Sequence, residues 1–168
     1  FMKNRETDEW LKQNQKSTRE FIRKWGHFCK HDPLMKPIVP PKYDIGIRIN
    51  NCSDQLLEVL EPWCNVIYTD ADIDRYISSE QEKTSFELVH RVLPLSETND
   101  YISNGFFPTN ILIEINGHNF YQTDMDLIQQ LSEIISSDDN IDQGQFELGN
   151  IKIYINDLST YEEELIKL

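Results

Sequence analysis

Apolar residues recur at three- and four-residue steps from Trp10 to Phe28. Trp10, Leu11, Thr18, Phe21, Ile22, Trp25 and Phe28 share one stripe, which predicts an amphipathic helix from about residue 8 to about 29. Thr7 can cap it, and Asp8 and Glu9 suit its first turn. Two tryptophans and two phenylalanines on one stripe point to a helix docked on a core, with Cys29 buried at its end. Residues 32–42 hold four prolines, which excludes helix and central strand. They predict an extended strap anchored by Leu34, Met35, Ile38 and Val39.

The pattern then changes period. Ile45, Ile47 and Ile49 alternate with Gly46 and Arg48, as in a strand that buries mainly one face near a sheet edge. Ser53 caps a helix carrying Leu56, Leu57 and Leu60, which Pro62 ends, and Val66-Ile-Tyr68 forms a second strand. Strand, helix and strand over about residues 44–69 make a βαβ unit with parallel strands and a right-handed crossover. A helix follows from Asp72 to about Gln81, and a strand or extended piece from Phe86 to Leu95. Residues 96–109 read as a polar loop, Ile111 to Ile115 as a strand, and His118 to Tyr121 as the start of a return. Thr123 then caps a helix with Met125, Ile128, Leu131 and Ile135. Gly149-Asn150 between two alternating runs predicts an antiparallel hairpin over about 145–155. Ser159 or Thr160 caps a short last helix.

Helices alternating with strands, plus a late hairpin, predict a single α/β domain with a mixed sheet. The expected organisation is an N-terminal amphipathic helix (1–31), a proline-rich strap (32–42) and an α/β body (43–168). A chain of 168 residues has the size to bury a core of its own.

Charge divides the chain. The net charge is −13, yet residues 1–50 hold 11 Lys/Arg against 6 Asp/Glu, leaving the remainder strongly acidic. The basic segment therefore docks on the acidic body or meets an acidic partner, and the body should repel nucleic acid. No apolar run approaches the ~20 residues that span a bilayer. Three cysteines, Cys29, Cys52 and Cys64, cannot all pair with one another, which suits a reducing, cytoplasmic setting. Twenty isoleucines and thirteen asparagines beside a single alanine, Ala71, reflect AT-rich codons. A virus, a phage, a low-GC bacterium or an AT-rich protist would all fit that bias, and for a virus or phage the compartment would be the host cytoplasm.

Candidate chemistry is confined to Asp70, Asp72 and Asp74. They follow a strand at the end where open α/β sheets bind ligands, and alternate carboxylates on an extended loop point the same way. The simpler role is capping the next helix. The run Val66-Ile-Tyr-Thr-Asp-Ala-Asp72 resembles the strand-to-DxD motif of metal-dependent nucleotide-sugar glycosyltransferases. That resemblance implies Mg²⁺ or Mn²⁺ held by Asp70 and Asp72, with Asp74 in support, and a nucleotide-sugar or phosphate substrate. The run also resembles the nucleophile segment of haloacid-dehalogenase-like phosphatases, but Asp74 stands where a Thr or Val is expected. No glycine-rich phosphate loop or nucleophile elbow is present.

The remaining candidates are contacts for a protein partner: the aromatic pair Phe106 and Phe107, and the basic Arg19, Arg23 and Lys24 of the first helix. With no catalytic constellation in view, the leading expectation is a non-enzymatic protein-interaction module. The DxD-type enzyme, or a fragment of one, is the alternative.

Overall fold

The computed structural model describes residues 7–160. Helix α1 (Asp8–Trp25) begins where Thr7 accepts a hydrogen bond from the Trp10 N–H at 3.2 Å. It ends short of the expected 29 because Gly26 turns left-handed, φ 78°, and donates its N–H back to the Ile22 carbonyl at 2.7 Å.

The strap is a small antiparallel hairpin, β1 (Lys30–His31) with β2 (Pro37–Ile38). The Asp32 carboxylate accepts from the N–H groups of Leu34 and Lys36, which tightens its turn. Its expected anchors do not anchor: Leu34, Met35, Ile38 and Val39 are all exposed, and Pro40 is buried in their place. Cys29 is likewise exposed.

The body follows the predicted βαβ unit. Strand β3 (Ile45–Asn50) leads into α2 (Asp54–Leu60), a 3₁₀ turn at Glu61–Trp63, and β4 (Val66–Thr69), which pairs parallel to β3. Ser53 caps α2 by accepting from the Leu56 N–H. Helix α3 (Ile73–Glu80) returns the chain to β5 (Val92–Pro94), parallel to β4. A 3₁₀ turn at Leu88–His90 occupies much of the expected Phe86–Leu95 strand.

Residues 96–109 are not a plain loop. They contain the end of a 3₁₀ turn (Leu95–Thr98) and the one-turn helix α4 (Tyr101–Asn104). Strand β6 (Ile111–Asn116) then pairs parallel to β3 on its free side. The expected return strand at His118 is a 3₁₀ turn, and α5 (Gln122–Ser137) starts two residues earlier than the Thr123 cap would allow, with Tyr121 at the cap position. Asp124 completes the helix start by accepting from the Tyr121 N–H. The hairpin is β7 (Gly144–Leu148) and β8 (Ile151–Ile155), with β8 antiparallel to β6. Of the two turn residues only Gly149 takes a positive φ, 58°, as a II′ turn requires. The expected last helix lies outside the described residues beyond Thr160.

The sheet order is β5-β4-β3-β6-β8-β7. β3 is therefore interior, not an edge strand. Its Ile45, Ile47 and Ile49 line up with Ile111, Ile113 and Ile115, and with Ile151, Ile153 and Ile155, on one buried face under α2 and α5. Burying each such side chain contributes about 1.5–3 kcal/mol. The opposite face carries Arg48, Tyr68, Glu114 and Tyr154. The β5-to-β6 connection crosses this second face, since a right-handed step back over β4 and β3 must. Thr98 accepts from Arg48 Nε at 2.8 Å, and the Tyr101 ring meets Tyr68 edge-on. Among the described residues no helix is long and apolar enough to cross a membrane.

Candidate functional site

β3 and β6 run parallel, but the order of strand addition reverses between them, which makes the carboxyl ends of these strands the place where such sheets receive ligands. Three loops meet there. Asn51, left-handed at φ 54°, donates its N–H to Asp70 Oδ2 at 2.8 Å, and the Cys52 N–H reaches Asp70 Oδ1 at 2.9 Å. The Asn51 side-chain amide donates to Asn116 Oδ1 at 3.1 Å, which also takes the His118 N–H. Gly117 presses on Asn51 so closely that a Cβ there would sit 2.0 Å from the Asn51 carbonyl oxygen. Backbone fills the crevice between these two loops.

The three aspartates diverge. Asp70 bridges to the loop after β3. Asp72 caps α3, accepting from the Arg75 N–H at 3.1 Å, and Asp74 sits in the helix's first turn. The extended loop that would have aligned them stops at Asp72, because α3 begins at Ile73. Arg75 further ties the region to Asp54 at 3.0 Å. Among the described residues no group of three or more His, Cys, Asp or Glu side chains is placed to hold a metal ion. Cys52 makes a poor nucleophile here: burial, with Asp70 and Asp54 nearby, pushes its thiol pKa up.

The densest charged cluster lies elsewhere, between α1 and the body. Glu61 is wholly buried and accepts from Arg23 Nε at 3.0 Å, from Arg91 Nη2 at 3.0 Å and from the Tyr76 hydroxyl at 2.9 Å. Glu80 accepts from Arg19 Nε at 2.8 Å and Arg23 Nη2 at 2.9 Å, and Glu20 pairs with Arg23 Nη1. Arg19 also donates to the Glu58 carbonyl and to Tyr76. Arg91 closes the cluster on the Cys64 carbonyl at 2.6 Å. Three guanidinium groups thus face three carboxylates. Burial alone would raise the Glu61 carboxyl, but Arg23 and Arg91 outweigh it and hold it below the usual range. Burial also raises the Tyr76 phenol, and the Glu61 charge adds to this.

This cluster resets the candidate contacts. Arg23 is buried and Arg19 is committed to Glu80, so neither is a surface cation. Phe107 is buried against Tyr154, while Phe106 is 76% exposed. Lys24 stays at the surface with its ammonium 5.1 Å from the Trp25 ring centre. Glu61, Glu80, Arg91 and Tyr76 gave no signal of their own in the sequence. The one available clue was an acid, Glu61, at the end of an otherwise apolar helix face.

Docking of α1 is confined to its second half. From Asp8 to Thr18 every residue is exposed, Trp10 and Leu11 included. The apolar stripe therefore reads correctly as a helix but not as a fully buried one. Comparison of the chain with protein-family models, curated proteins and solved structures gave no match.

Proposed function

We propose that the chain is a non-enzymatic protein-interaction module. The observation that supports it is the exposed first half of α1, an ordered amphipathic segment whose Trp10 and Leu11 are 39% and 45% exposed. Trp is among the residues that most often anchor protein interfaces, and an amphipathic helix commonly binds by laying its apolar face in a partner's groove. The far half of the same helix is fixed by buried ion pairs, so the free half is presented at a set angle to the body. The partner class is a protein with an apolar groove.

The test compares the wild-type chain with a Trp10→Ala/Leu11→Ala variant in quantitative crosslinking to partners from source cells. Both side chains lie at the surface, outside the buried core, so the variant should stay within a few degrees of the wild-type melting temperature. The reading expects the variant to lose a specific crosslinked partner. Equal partner recovery by both proteins overturns it.

A further inference from the structure

Among the described residues β7 has a strand neighbour on one side only. The turn at Gly149-Asn150 makes Leu148–Ile151 the closing pair of the hairpin, and hydrogen-bonded pairs then alternate down the ladder. Gln145 and Glu147 occupy the other positions. Their N–H and C=O groups point away from β8, toward the open edge. An exposed row of such groups is a template for another strand.

Beside this edge lies an apolar cavity of about 290 Å³ between α5 and the hairpin. Leu131, Ile135, Ile141, Phe146, Leu148 and Ile153 form its walls. Phe146 and Leu148 are only half-buried although they face the core side of the sheet. Asp138 stands at the rim, Asp139 and Asp142 are exposed on the loop that leads into β7, and Glu147 is exposed on β7 itself.

We propose that this edge and cavity take an extended basic segment of a partner protein, added to the sheet as a seventh strand. This rests on the interaction-module reading but uses a surface separate from α1. A strand laid on β7 would turn alternate side chains toward the Phe146 and Leu148 side, where the cavity receives apolar groups. The intervening side chains would lie on the opposite face beside Glu147, and the ends of the segment would near the acidic 138–142 loop, where Lys or Arg fits. A second copy of this chain fits less well, because it brings the same carboxylates against these.

The probe is a fluorescein-labelled peptide of sequence Lys-Val-Lys-Ile-Lys-Val-Lys, titrated into the full chain and followed by anisotropy at physiological salt. Saturable binding is expected, with slowed amide exchange at Gln145 and Glu147. Replacing the peptide's lysines by glutamate, or N-methylating alternate residues, should weaken binding by about tenfold or more. Neither change alters the protein, so neither loss can be misfolding. Glu147→Pro removes an outward-facing N–H that the hairpin does not use, and should also abolish binding.

Equal binding of the N-methylated peptide would show charge attraction without strand pairing and overturn the proposal. Protection at β7 that depends on protein concentration, with dimers in sedimentation, would make a second copy the occupant and overturn it as well. Absence of peptide binding overturns the edge proposal alone if the Trp10→Ala/Leu11→Ala variant still loses its partner. Loss of both results removes the interaction-module reading.

Discussion

Arg23 and Glu61, 38 positions apart, form an ion pair in which neither side chain is exposed to solvent. Such a pair is costly to desolvate and serves better as a fastener between elements than as a source of net stability. Here it joins α1 to the turn between α2 and β4 and, through Glu80 and Arg91, to α3 and the approach to β5.

Breaking the pair from one side leaves a buried charge unmet. Glu61→Gln and Arg23→Met should each cost about 3–5 kcal/mol. Over the 168 residues of this chain that corresponds to a drop of roughly 6–20 °C in Tm. Denaturant melts check the size. The double variant should lose less than the sum of the two single ones, because the second change removes the stranded charge.

Lys42 donates to the carbonyls of Arg23 and Lys24 at the end of α1 and is half-buried. Burial, with Arg91 nearby, lowers its pKa to about 8 from an unfolded value of 10.5. The unfolded chain therefore holds the extra proton between those values, so this group's contribution to stability rises with pH across that window. Thermal melts of the wild type and Lys42→Met from pH 7 to 10 should show the wild type gaining relative to the variant. A constant difference would contradict this. Glu61 has the opposite placement: its lowered pKa gives stability that is present above the ordinary carboxylate range and lost as pH falls through the folded value.

Asp70 and Asp72 act here as acceptors for backbone N–H groups. Asp70→Ala should cost about 1–3 kcal/mol through two unmet amides, and Asp72→Ala about 0.5–2 kcal/mol as a lost cap. Thermal shifts with millimolar Mg²⁺ or Mn²⁺, alone and with nucleotide sugars, should leave these costs unchanged. A metal-dependent rise in Tm that both variants abolish would restore the DxD-type enzyme reading.

Gly117→Ala drives a methyl group into the Asn51 carbonyl, which belongs to backbone and cannot rotate away. A loss of about 1–3 kcal/mol is expected. The chemical shifts of Asn51 and Cys52 should move with it, since their amides hang on Asp70 in the same loop cluster.

Much of the fold was legible from period and punctuation. Thr7 and Ser53 capped their helices as expected, the isoleucine alternation gave the strands, and Gly149-Asn150 gave the hairpin. The misses share a physical cause. Ile45–Asn50 looks half-polar because Arg48 and Asn50 face a second face partly covered by residues 95–109, and sequence period cannot reveal that cover. Leu34, Met35 and the first half of α1 show that apolar character sets a residue's preference but not whether a surface exists to receive it. Arg19 and Arg23 resembled surface cations because their carboxylates lie as far as 57–61 positions downstream, and no local spacing marks such partners. The three aspartates were correctly placed at a strand end, but helix geometry past Asp72 turned them apart.

The Arg23 fastener also has a consequence in time. Synthesis proceeds from the amino terminus, so Arg23 leaves the ribosome well before Glu61, Glu80 and Arg91. Most of the stability of an amphipathic helix such as the 18-residue α1 comes from packing and not from its own propensity. Until Arg91 has emerged, α1 has no complete seat and holds its tryptophans and unpaired guanidinium groups in solvent. Helix α1 is therefore secured only after β3, α2, β4 and α3 have emerged, and before β6, α5 and the hairpin that complete the sheet.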